Sequence, residues 1–366
     1  IKIIDLELHL PFVGLETEKD EILSSNLFSS AIRQAVKEVS APKLSRGENV
    51  KKQSWEKQDQ HITNVYPLFD ASLVTRLLKH QVDRGSEFIS GVYVPITADR
   101  VFERQVQKAE ELLSISKQIY ERVFPKIAKE RDFVNTICIN LSVLNSENHI
   151  QRLIDLALAN NPDQIAIRAL NLSRDGLIHV RHFLDFIKAL RDTVDGRQEG
   201  RPIEQRTPIH ILNVREEGYL TFCYGANTVT SPLARPTFLH INHSRKDPRD
   251  AGKGAFYHPI DMSDDSPATC MEKSFPMEYQ IPCGFNPCRT YGKFNNPSLA
   301  DEYVYNDWRK EHFIHTKSDE SRQIKETDQP LNMALRDKFA RSWQAIWLPF
   351  LEVTPTLAFR IGVPES

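Results

Sequence analysis

Short β-rich runs alternate with helical runs through the middle of the chain, and this restricts the fold more than any other feature. VYPLFDAS, EFISGVYVPIT, FVNTICINLSVL, DQIAIRALNLS, TPIHILNV and NTVTSPL read as strands. Between them lie LVTRLLKHQVDRG, with Leu73, Leu77 and Leu78 on one face, and three further helical stretches. A shorter helix is expected from residue 216 to 224, with Gly225 as its stop. Strands bridged by helices form βαβ units, and such units require a parallel sheet. About seven or eight of them in succession predict a (β/α)8 barrel rather than an open doubly wound sheet. No GxGxxG or GxxxxGK loop follows any strand, which excludes a dinucleotide or P-loop site.

The alternation ends near residue 244. The chain therefore divides into a barrel at 1–243 and a C-terminal subdomain at 244–366, with helices at EYVYNDWRKEHFIH and LNMALRDKFARSWQAIWLPFLE. Before the first unit, IKIIDLELHLPFV reads as a strand and residues 27–39 as a helix. KLSRGENVKKQSWEKQ reads either as a solvated loop or as a nucleic-acid contact, with Lys51, Lys52 and Lys57 around Trp55. The first residue is Ile1 rather than methionine, which predicts a preceding segment. No apolar run approaches the ~20 residues of a membrane span, and no signal-peptide pattern is present. The net charge of −2 assigns any polyanion binding to a local basic patch. Five scattered cysteines predict a reducing cytosol and no disulfide framework.

Polar residues near the C-terminal ends of parallel strands are the candidates for chemistry, because such folds place their sites there. Asn140, Arg168, Asn171, Asn213, Arg215, Asn227 and Ser231 are candidate substrate contacts. Asp70, before a helix, is either a general acid/base or the cap of that helix. Thr230 offers a nucleophilic hydroxyl if a base lies beside it, or else satisfies backbone groups at a strand end. Arg235, His243, Arg245 and Lys246 belong to a cationic stretch suited either to phosphate or to solvent. Cys283 and Cys288 flank a proline-bracketed turn and, with His315, offer soft and borderline ligands for zinc.

The order of these features resembles the tRNA-guanine transglycosylase superfamily over about residues 65–315. FDASLVTRLLKHQVDRGSEFISGVYVP is similar to its strand-end aspartate, helix and strand. HILNVREEGYLTFCYGANTVTSPLARP is similar to its last units, and GKGAFYHPIDM with IPCGFNPC to its run into a zinc site. The resemblance implies a barrel that recognises guanine or a 7-deazaguanine, free or in nucleic acid. It makes Asp70 the base-reading acid/base and Gly225 the family glycine. The family's two following aspartates fall on Asn227 and Thr230, and its second base-reading aspartate falls near residues 94–97, where the next carboxylate is Asp99. RALNLS, with Arg168 and Asn171, stands where the family has a glycine-rich guanine-binding turn. Cys283, Cys288 and His315 correspond to zinc ligands, and Phe285 stands in the place of another. Loss of the nucleophilic aspartate implies altered or absent base exchange; the alternative is an active enzyme using Asp70 and another nucleophile. The family also contains non-catalytic subunits that pair with catalytic ones, and relatives in DNA-modification and antiphage systems, so a protein partner is a further expectation.

Overall fold

A computed structural model describes residues 27–40, 60–170, 177–212, 221–230, 256–258, 263–265 and 302–326. The expected N-terminal strand, the basic loop at 43–58 and the last amphipathic helix lie outside them. Chain contacts fall into two units. One comprises Ile1–Val214, Tyr224–Thr230 and Thr237–Ser244, the other Arg215–Cys223, Ser231–Pro236 and Arg245–Ser366.

The first unit is mixed α/β and is built on a parallel sheet. Its strands are β1 (Ile89–Ser90), β2 (Pro95–Ile96), β3 (Phe133–Asn140), β4 (Gln164–Leu170), β5 (Ile209–Leu212) and β6 (Thr228–Val229). β1 and β2 both pair with β3, and β4, β5 and β6 follow in chain order, all parallel. No reversal of strand order occurs among the described residues, so the sheet lacks the switch point of a doubly wound fold.

β1 and β2 are two pieces of one strand. Five residue steps separate Ser90 from Pro95, but only four separate their partners Val134 and Cys138. The extra residue is a bulge. Within it the Val92 amide leaves the ladder and donates to Ser116 Oγ at 3.0 Å. Gly91 lets the neighbouring helix approach: a Cβ there would lie 2.8 Å from Leu113 Cδ2 and 3.1 Å from the Phe133 ring.

The helices are α1 (Ser30–Ser40), α2 (Ala71–Asp83), α3 (Phe102–Val123), α4 (Ile127–Glu130), α5 (Glu147–Ala157) and α6 (Leu177–Arg197). In α2 the apolar face expected from spacing is buried: Leu73, Val74, Leu77 and Leu78. Gln81 is buried beside them, and its amide exchanges two 2.8 Å hydrogen bonds with the N–H and C=O of Ser90. A helix side chain thereby completes the backbone pairing of β1.

The strand expected at residues 65–72 is absent. His61–Val65 forms a π turn and Tyr66–Leu68 a 3-10 turn, leading into Asp70 and α2. The aromatic and β-branched composition suggested a strand, but Pro67 lacks the N–H that a central ladder needs. Tyr66 turns inward instead, its hydroxyl donating to Pro95 O at 3.3 Å.

The two faces of the sheet differ. Phe133, Asn135, Ile137, Ile139, Ile165, Ile167, Ile209 and Ile211 share one face by the two-residue period. This face meets the helices: Tyr120 of α3 packs on Phe133, and Asn135 Nδ2 donates to Ala157 O and Ala159 O at the end of α5. The opposite face carries Thr136, Cys138, Asn140, Gln164, Ala166, Arg168, His210, Leu212 and Thr228. All of these but Thr228 are buried as well.

In the second unit, β7 (Phe256–His258) and β8 (Ser263–Asp265) pair antiparallel. Helix α7 (Glu302–Glu326) buries Trp308, His312 and Thr316, a stripe at four-residue spacing. No helix of the described residues is long and apolar enough to cross a membrane.

Candidate functional site

The polar face of the sheet is wired in two layers. The lower layer runs across the N-terminal edge. Gln164 Nε2 donates to Asp132 Oδ2 at 2.6 Å, so its Oε1 must point the other way, toward His210 Nε2 at 2.6 Å. Nε2 is then the protonated nitrogen of His210, and Nδ1 accepts from the Thr228 hydroxyl at 2.6 Å. The carboxylate thus fixes the amide, the amide fixes the tautomer, and the tautomer orients the hydroxyl. Burial holds the His210 pKa below its ordinary 6.5.

Asn227 belongs to the same edge. Its N–H donates to Ile209 O and its Oδ1 accepts from Ile209 N, both at 2.8 Å. The side chain therefore extends the β5–β6 ladder by one rung, ahead of β6 and not at its C-terminal end. Gly225, two residues earlier, has φ +99°, and Arg191 occupies the place of its missing Cβ. Gly225 follows a 3-10 turn at Thr221–Tyr224; the rest of the helix expected at 216–224 lies outside the described residues.

The upper layer lies at the C-terminal ends. Thr97, just beyond β2, is clamped by Gln105: Oε1 accepts from Thr97 N at 2.9 Å and Nε2 donates to Thr97 Oγ1 at 3.1 Å. Asn140 closes β3, donating to Thr97 O at 3.3 Å and accepting from Ser142 N at 3.2 Å. Cys138 stands in register with Arg168, and burial raises its thiol pKa, which makes it a packing residue and not a nucleophile.

Arg168 is the exceptional residue of this layer. It lies two residues before the end of β4, beside Cys138 on one side and Leu212 on the other, and is 1% exposed. Burial lowers its pKa from 12.5 to about 9, so the guanidinium remains charged at neutral pH. A cation placed out of water needs anionic or strongly accepting company. Thr230 shares this face by parity, follows β6 directly, and donates its N–H to Ile211 O at 2.8 Å. The structure therefore brings Asn140, Arg168 and Thr230 to the C-terminal half of one face and sends Asn227 to the opposite edge.

Asp70 is the N-cap of α2. Its backbone is extended, and its Oδ1 accepts from Leu73 N at 2.9 Å. Asn caps as well as Asp, whereas Ala does not. Asp70→Ala is accordingly expected to lower stability by about 0.5–2 kcal/mol, and Asp70→Asn to leave it unchanged, as read from urea midpoints. A loss in Asp70→Asn equal to that in Asp70→Ala would show that the charge itself is required.

Asn171, Asn213, Arg215, Ser231, Arg235, His243, Arg245, Lys246, Cys283 and Cys288 lie outside the described residues. His315 stands on α7 with Nδ1 3.4 Å from Asp319 Oδ2. Among the described residues no group of three His, Cys, Asp or Glu is placed to hold a metal. Asp99 accepts from Asn145 Nδ2 at 3.1 Å beside His149, in a network exposed to solvent.

Sequence reasoning missed Tyr66, Gln105, Gln164 and His210. Two of them, Gln164 and His210, had a readable signal. Apart from Asn135, polar residues in these strands fall at even positions, as in Thr136, Gln164, Arg168, His210 and Thr228, and so mark a second face. No protein-family model matches the chain, and no curated protein matches it.

Proposed function

We propose that the chain is a parallel barrel of the tRNA-guanine transglycosylase type that binds a guanine or 7-deazaguanine base, free or within nucleic acid, without exchanging it. The observation that carries this is the buried polar face of a sheet whose strands follow chain order, ending in Asn140 and Arg168, with the exposed Thr230 just beyond β6. Right-handed crossovers between successive neighbouring strands keep their helices on one face. α3 and α5 lie against the isoleucine face, yet the other face is also out of water. Closure of the sheet on itself gives that face an interior, which supports a barrel over an open sheet.

In this reading Arg168 presents N–H groups to the O6 and N7 acceptors of guanine, the pairing that guanidinium geometry favours. Exchange needs a nucleophile that stabilises a cationic sugar centre. The two positions that correspond to carboxylates hold neutral Asn227 and Thr230, and the Asn227 amide is already bonded to Ile209. A neutral hydroxyl brings no charge to a cationic centre and is a weaker nucleophile than a carboxylate there.

The test has two arms. Titration calorimetry with guanine and 7-deazaguanine is expected to show binding, and labelled guanine is expected not to enter tRNA or DNA above a protein-free control. Incorporation abolished by Asp70→Ala but retained in Thr230→Ala would establish an active enzyme with another nucleophile. If the ligand is carried by nucleic acid through Arg235, His243, Arg245 and Lys246, its affinity falls steeply with salt. A zinc held through Cys283, Cys288 and His315 belongs to the same reading, and metal analysis of Cys283→Ser against the unaltered chain tests it. A non-catalytic role beside a catalytic partner subunit is consistent with binding without exchange.

A further inference from the structure

We propose that His210 is an acid-sensitive latch on β6, the strand that leads directly into Thr230. β6 is two residues long. It is held by its short ladder with β5, by Asn227 and Thr230 on either side of it, and by the Thr228 hydroxyl on His210 Nδ1. That hydroxyl is the last member of the chain from Asp132 through Gln164 and His210, which crosses from the start of β3 to β6.

Among the described residues, the groups facing His210 are few. β4 presents Gln164 and Ala166, with Thr136 of β3 beyond them in the same row. β6 presents Thr228. The Phe88 ring lies 6.4 Å away, ahead of β1. The acid in this chain is Asp132, and the whole amide of Gln164 stands between its carboxylate and the imidazole. Protonation at Nδ1 turns that nitrogen from acceptor to donor. Thr228 must then accept instead of donate, its own proton loses its acceptor, and an imidazolium is left out of water. Opening β6 returns the ring to solvent and relieves all three costs.

The direction follows from the sign of the shift. His210 is held below 6.5 when folded, so the open form binds the proton more readily than the closed form. The latch is fully closed above pH 6.5 and loosens as the pH falls below it. This goes beyond the ligand reading and stands without it.

Hydrogen exchange of the full chain, corrected for intrinsic rates, tests the latch between pH 7.5 and 5.5. Protection at residues 228–230 is expected to fall by up to about tenfold per pH unit below 6.5, while amides of β3 and β4 keep theirs. His210→Gln, which cannot titrate, is expected to remove the pH dependence. Should that variant fail to fold, imidazole NMR of the unaltered chain replaces it, with His210 expected to titrate below 6.5. An ordinary or raised midpoint for His210, or protection lost equally across β3 and β4, overturns the proposal.

Discussion

Gly225→Ala is expected to destabilise the first unit by about 2–5 kcal/mol, the largest single-methyl effect in the described residues. Two costs combine. Gly225 has φ +99°, a backbone region that a residue with a Cβ adopts at a cost of about 1–2 kcal/mol. The added Cβ would also stand 2.3, 2.6 and 2.8 Å from Cγ, Cδ and Cβ of Arg191. Such crowding costs about 1–3 kcal/mol when the neighbour cannot move. Arg191 is held: its guanidinium meets Asp195 Oδ1 at 3.1 Å and Asn227 Oδ1 at 3.4 Å, and Arg206 meets the same Asp195 oxygen at 3.1 Å. Displacing Arg191 also disturbs Asn227, and with it the added rung between β5 and β6. Equilibrium urea unfolding measures the loss. Arg191→Ala in the Gly225→Ala background is expected to recover part of the steric share and none of the backbone share. A midpoint unchanged in Gly225→Ala would mean that the turn adopts another conformation without cost.

Much of this arrangement was legible in the residues. TICIN, IAIRAL and HIL are β-branched or apolar runs between helices, and each is a buried strand where it was expected. The α2 face at Leu73, Leu77 and Leu78 followed from spacing alone. What failed was local composition overridden by tertiary context. VYPLF has the residues of a strand, but Pro67 and the cap at Asp70 make it a turn into a helix. The bulge between β1 and β2 was hidden for a different reason, because one surplus residue can be recognised only against the register of β3.

The candidate site was less legible, since a polar residue at a strand end can wire the fold or bind a ligand. Asn140, Asn227 and Asp70 each bond a backbone group within the protein, over separations from two to 43 residues. Spacing gives no hint of the longest of these. Carboxamides carry most of the wiring, with Gln81, Gln105, Asn135 and Gln164 all buried and bonded. Such amides tie helices and neighbouring strands to the parallel sheet without needing charge. Arg168 adds a buried charge to that set, and its substitution tests the binding proposal against a purely structural one.

Arg168→Leu is therefore expected to weaken guanine binding by about tenfold to more than a hundredfold, the effect of losing one bidentate or charge-assisted contact. Arg168→Lys is expected to recover little of it, because an ammonium lacks the planar fork that reaches two acceptors on one base edge. Asp70→Asn retains the cap and supplies the comparison: binding is expected to stay within about twofold if that carboxylate serves only α2. The melting temperature of each variant separates loss of the site from loss of the fold. Binding that falls only in step with the folded fraction would reduce Arg168 to a residue of the interior. The pattern expected of a ligand anchor is a folded Arg168→Leu protein that no longer binds, beside an Asp70→Asn protein that does. The reverse pattern would transfer base recognition to Asp70 and restore the carboxylate reading that the cap geometry argues against.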